Sequence, residues 1–170
     1  MSDNTDNQIE RVRLLAIDFR KAIDRAQEAG ELFHTAIASF PIGCCGFTSD
    51  LLQRFLDENG IKTRYVSGVY RDSRGSVSQP HAWLELNDGT VVDITGDQFC
   101  FKPYPLKNDC PVYCDKPNEF YNRFQLEPPC EYEGSFLKMS YAKNKKRTIL
   151  SASFFRSACL HLYRCVICIE

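Results

Sequence analysis

This sequence carries almost no net charge: 21 Lys and Arg stand against 22 Asp and Glu, leaving a formal −1. No global field draws such a chain to nucleic acid or to an anionic membrane. Its one basic cluster, Lys143-Asn144-Lys145-Lys146-Arg147, reads as a solvated turn. No apolar core follows the polar opening Met1-Ser2-Asp3-Asn4-Thr5-Asp6-Asn7, so no signal peptide is expected. Internal repeats and low-complexity tracts are missing. A phosphate-cradling loop is missing too, since Gly43-Cys44-Cys45-Gly46 has neither the Lys nor the spacing of a P-loop. The apolar run from Thr148 to Ile169 is interrupted by Arg156, His161 and Arg164. A central Arg costs about 2.5–3.5 kcal/mol on membrane insertion, so the run is expected to pack on its own core or on a protein partner rather than span a bilayer.

Cysteine, by contrast, is plentiful, with nine in 170 residues. Without an export signal these thiols are expected to stay reduced, which places the protein in the cytoplasm. The length suits one domain with a sizeable core.

Residues 1–8 are expected to be disordered, followed by a single domain over 9–170 with its core in 40–125 and an extension over 126–170. From Ile9 the apolar residues Val12, Leu15 or Ala16, Phe19, Ile23 and Ala26 recur at helical spacing. Charged residues, Arg20 among them, are expected to cover the opposite face, and Gly30 is placed to end the helix. Leu32 to Ser39 predicts a second short helix carrying His34, one of three histidines. Pro41 and Gly43 break the pattern, and a new helix starts near Cys45, with Leu51, Leu52, Phe55 and Leu56 as its stripe and Asn59-Gly60 as its cap. Lys62 to Tyr70 alternates as a strand. His81 to Leu86, the turn Asn87-Asp88-Gly89 and Thr90 to Thr95 read as a β-hairpin. Six of the eight prolines lie between Pro103 and Pro129, so that region is mostly loop, with Cys110–Cys114 a short strand. Phe136 to Ile169 is expected to return to the core.

A cysteine in the first turn of a helix meets unpaired N–H groups and the positive end of the dipole, which favour thiolate. The same N–H groups can hold an oxyanion. Cys45 is the candidate nucleophile and Cys44 the reserve, although a buried, inert thiol is the commoner state of either. The hairpin changes the balance. With a three-residue loop at 87–89, Leu86 pairs with Thr90, and Asp93 becomes the diagonal neighbour of His81 on one face. A two-residue loop would turn them to opposite faces. In the productive register Asp93 orients the imidazole of His81, whose other nitrogen faces Cys45. Trp83, on the same face, would shield that pair or form a substrate wall.

Zinc is the rival chemistry, since Cys165-Val166-Ile167-Cys168 and Cys110 to Cys114 could supply four thiolates. The apolar residues between these cysteines argue against a metal knuckle, and no metal or cofactor is expected. Cys100, Cys130 and Cys159 read as packing residues.

The set Phe40-Pro41-x-Gly43-x-Cys45-Gly46, His81-Ala82-Trp83-Leu84-Glu85 and Val92-Asp93-Ile94-Thr95-x-Asp97-Gln98-Phe99 resembles small bacterial transglutaminase-like proteins. These belong to the papain-like superfamily and include relatives of the leader peptidases of lasso-peptide maturation. The resemblance implies an α+β fold in which N-terminal helices, one bearing the nucleophile, pack on an antiparallel β-sheet. It assigns Cys45, His81 and Asp93 as nucleophile, general base and orienting acid, with Cys44, Gly46, Trp83, Asp97 and Gln98 as candidate substrate contacts. The implied activity is thiol-dependent hydrolysis of a peptide, protein or amide substrate. Transfer to an amine and a non-catalytic binding module stand as alternatives, because a fold does not choose a reaction.

Overall fold

The computed structural model describes residues 2–30, 37–101 and 106–128. All belong to the first of the two units into which the chain divides, Met1–Cys130 and Glu131–Glu170. The helix expected over Leu32–Ser39 with its His34, the return of Phe136–Ile169 to the core, and Cys130, Cys159, Cys165 and Cys168 fall wholly or largely outside the described residues.

Helix α1 runs Ser2–Glu28. It buries Val12, Ala16, Phe19, Ala22 and Ile23, the stripe that the spacing predicts. It starts at Ser2, ahead of the apolar stripe: once that stripe has nucleated a helix, each further residue adds a backbone hydrogen bond at little cost. Gly30, at φ +71°, ends it. Helix α2, Cys45–Glu58, begins after the turn containing the cis Phe40-Pro41 peptide and stops at Asn59, with Gly60 at φ +76°. It packs on β1, β2 and α1, and the Phe19 and Phe55 rings meet at 5.1 Å.

The strands are β1 (Arg64–Arg71), β2 (Ser78–Glu85), β3 (Val91–Asp93), β4 (Tyr113–Asp115) and β5 (Gln125–Leu126). They form one antiparallel sheet in the order β4-β3-β2-β1-β5. Leu84 pairs with Val92 and Glu85 with Val91, and the Leu86 N–H donates to the Thr90 carbonyl at 2.8 Å. This is the three-residue loop, and it puts His81 and Asp93 on one face. β2 starts three residues before His81 and includes Pro80, which is tolerated because β3 no longer flanks that end. β3 is shorter than the sequence suggests. The Asp93 carboxylate takes the Thr95 N–H at 2.8 Å, an Asx turn that ends the strand. On the His81 face, Val66, Trp83 and Val91 join Phe99, Leu106, Phe120, Tyr121 and Phe124 in an aromatic core.

Candidate active site

Cys45 is the first residue of α2. Cys44, at the N-cap, supplies no side-chain cap, and no acidic residue occupies the first turn. The helix therefore directs its positive end at the sulphur of Cys45 without a competing carboxylate. The two neighbouring thiols differ sharply. Cys44 is buried and donates to the Pro41 carbonyl at 3.2 Å, and burial pushes its thiol up to about 11. For Cys45, burial also acts upward. The hydrogen bond and charge of His81 outweigh it, with help from the backbone at Ala82 and from Gln98, and hold the thiol below its ordinary range.

His81 and Asp93 are each about 1% exposed, and His81 Nε2 lies 2.7 Å from Asp93 Oδ2. Burial alone would lower the imidazole and raise the carboxyl. Their mutual attraction reverses both directions, so His81 is held above and Asp93 below the usual range. Asp93 is satisfied at every turn. Thr95 donates its N–H and hydroxyl to Oδ1, and Tyr121 donates its hydroxyl to Oδ2 at 3.1 Å. The His81 ring sits among Phe99, Phe120, Phe124 and Trp83, with centroids 5.2–5.9 Å away. Excluding water in this way strengthens the imidazole–carboxylate bond. Gly68 pairs opposite His81, and a Cβ there would stand 3.0 Å from Phe124 Cβ, so its bareness is what admits that ring.

The candidate substrate contacts separate. Trp83 is 1% exposed and shields the pair rather than walling a cleft. Cys44 is turned inward. Asp97 gives both oxygens to the Arg20 guanidinium at 2.9 Å, so it serves as a counter-ion. Gly46 lies beside the Tyr65 hydroxyl, 3.1 Å from where its Cβ would be. Gln98 reaches the site itself, with Nε2 3.0 Å from His81 Nδ1 and Oε1 accepting the Gly43 N–H at 3.3 Å.

Two structural partners were not anticipated. Tyr121 comes from a proline-rich stretch that gives no local signal. The charge pattern puts Arg20 on the solvent face, yet it is 8% exposed and also donates to the Ile94 carbonyl at 2.8 Å, with its guanidinium over the Phe40 ring. Its position four residues after Ala16 was the available clue, since that is the buried stripe. Cys100 is exposed and bonds the Asn108 carbonyl, which corrects its reading as a packing residue. Cys110 and Cys114 bond the Val112 and Ile9 carbonyls.

A family model described as the transglutaminase-like superfamily matches residues 1–96. The chain belongs to the transglutaminase-like superfamily. The matched stretch contains Cys45, His81 and Asp93, whereas Gln98 and Tyr121 lie beyond it. No curated protein and no solved structure matches the chain. An α+β arrangement of two helices and an antiparallel sheet fits a transglutaminase-like fold, and membership suggests cysteine-peptidase-like or acyl-transfer activity. No helix among the described residues is long and apolar enough to cross a membrane.

Proposed function

We propose that this transglutaminase-like protein is a thiol-dependent hydrolase of peptide or amide bonds, working through a thioester on Cys45. The observation that supports it best is the continuous chain of contacts from a helix-start thiol to His81 and on to Asp93. A proton passing from Cys45 to His81 Nδ1 leaves a thiolate and an imidazolium held by the Asp93 carboxylate. The thiolate attacks the substrate carbonyl carbon, an S–C bond forms, and the carbonyl π pair moves to oxygen. The backbone N–H of Cys45 holds that oxyanion. On collapse the C–N bond breaks, and the Nδ1 proton goes to the departing amine. His81 then takes a proton from water, the hydroxide attacks the thioester, and the acid leaves with Cys45 restored. An amine in place of that water would give transfer, the reaction that the family's breadth keeps as the second reading.

A peptide substrate accords with the resemblance to lasso-peptide leader peptidases, and a cytoplasmic setting with the five described cysteines all being free thiols. The test is a mixed peptide and amide panel analysed by intact mass with and without an amine trap. An acyl adduct on Cys45 that decays to free acid supports hydrolysis. Persistent capture by the amine, with no free acid, points to transfer. No adduct with any acyl donor sinks the enzymatic reading.

A further inference from the structure

Helix α2 covers only part of the sheet face that it packs on. Strand alternation puts Tyr65, Ser67, Val69 and Arg71 of β1 on one face, paired in turn with Leu84, Ala82, Pro80 and Ser78 of β2. The Tyr65 hydroxyl lies against Gly46 in the first turn of α2, which identifies this as the helix face. The backbone at Ala82 meets Cys45, and farther along the helix Gln53 donates to the Thr63 carbonyl at 2.8 Å, so α2 runs from Ala82 toward the start of β1. In the other direction the face is left open: Pro80, Ser78 and Arg71 are exposed and Val69 is half-buried. A strip of bare sheet thus leads from the nucleophile to the β1–β2 turn. At about 3.3 Å per residue it is roughly 13 Å long, the span of four extended residues.

The strip is polarised. At its near end Ser67 donates its hydroxyl to the Glu127 carboxylate at 2.6 Å, which sets a negative charge beside the Ala82 row. At its far end stand Arg71 and Arg74, both exposed and neither in an ion pair or a side-chain hydrogen bond among the described residues. Arg11, Arg13, Arg20, Arg25 and Arg64, by contrast, each hold an oxygen of this chain. The acid between the two unengaged arginines pairs with neither, since Asp72 spends its carboxylate within the turn, on the Val77 N–H and the Ser76 hydroxyl, both at 2.8 Å. We propose that the substrate is a peptide laid extended along this strip, with an acidic side chain about four residues from the scissile bond held by Arg71 and Arg74. The proposal rests on the hydrolase reading and names its substrate class. Val69 and Pro80 give the intervening residues an apolar floor, and the guanidinium fork matches a carboxylate. Glu127 repels an acid placed next to the scissile bond, so charge sets the register as well as the affinity.

The test is cleavage of a proteome-derived peptide library, with the new termini read by mass spectrometry and Cys45→Ser as the blank. Wild type is compared with the Arg71→Gln/Arg74→Gln and Arg71→Glu/Arg74→Glu pairs. Wild type is expected to enrich Asp and Glu about three to five residues from the cut, on one side of it, by roughly 2- to 20-fold over the library. The glutamine pair should lose that enrichment. The glutamate pair should replace it with Lys and Arg at the same positions, an outcome that a damaged fold does not produce. Wild type that cuts peptides without the acidic preference, or variants that keep the wild-type profile, would overturn the proposal and leave the hydrolase reading standing. The wild-type profile decides the matter alone if a variant does not fold. Turnover of small amides with no peptide cut also overturns the proposal, while thiol-dependent hydrolysis survives. No Cys45-dependent turnover of either removes both.

Discussion

Cys44 and Cys45 carry the same side chain one peptide apart, yet burial raises the first thiol to about 11 and His81 holds the second below the ordinary range. At pH 7 a thiol with a pKa of about 11 is roughly one part in 10,000 thiolate, so Cys44 is inert toward alkylation. Cys45→Ser is expected to abolish rapid iodoacetamide labelling at pH 7 in intact-mass time courses, and Cys44→Ser to leave it essentially unchanged. The reverse result would exchange their roles. Tyr121 acts at one remove, through the carboxylate it shares with His81. Tyr121→Phe deletes a hydrogen bond to a buried charge and is expected to cost about 1.5–3 kcal/mol in urea unfolding. Its thiol pKa should rise only slightly, since Thr95 still donates twice to Asp93.

The elements that hold these residues were legible where local chemistry decides them. Helix α2 announces itself through its apolar stripe, and the loop at Asn87-Asp88-Gly89 carries the residues that tight turns require, with Gly89 at φ +81°. The register of the hairpin then follows, and with it the shared face of His81 and Asp93. Illegible were contacts made across the chain. Tyr121 meets Asp93 from 28 residues away and Arg20 meets Asp97 from 77, and neither spacing nor composition encodes such pairings. Arg20 reads as surface from its charge alone, and only the Asp97 carboxylate explains a guanidinium on the buried stripe. Gly68 reads as an ordinary strand glycine until the sheet sets it opposite His81 and under Phe124. Gly68→Val would drive a side chain into Phe124 Cβ and the Gln125 carbonyl. Overpacking of this kind costs about 1–3 kcal/mol, and a lowered midpoint in thermal unfolding should accompany weakened thiolate formation at Cys45.

Across the whole molecule, Arg20 ties α1 to the turn after Asp93 and to the Phe40 ring that precedes the nucleophile helix. Arg20→Met would leave the Asp97 carboxylate buried without its cation, an expected loss of about 3–5 kcal/mol in urea unfolding, and the double variant with Asp97→Leu should recover much of it. The fold should also be acid-sensitive through Asp93. Its carboxyl is held below the unfolded value in the native state, so its contribution is present above a pH of about 4 and is lost as pH falls through the native pKa. Asp93→Asn should remove that acid limb and lower stability at pH 7. His81, held above its unfolded value, contributes in the opposite sense, fully below a pH of about 6.5 and less as pH rises through its native pKa. The central claim is that this imidazole activates Cys45. The pH profile of Cys45 alkylation, compared between wild type and His81→Ala, tests it most directly. The account predicts a wild-type thiol titrating well below about 8.5, and a variant whose thiol titrates at or above that value because burial then acts unopposed. A wild-type thiol that titrates at about 8.5 or higher, or one that His81→Ala leaves unmoved, would contradict it.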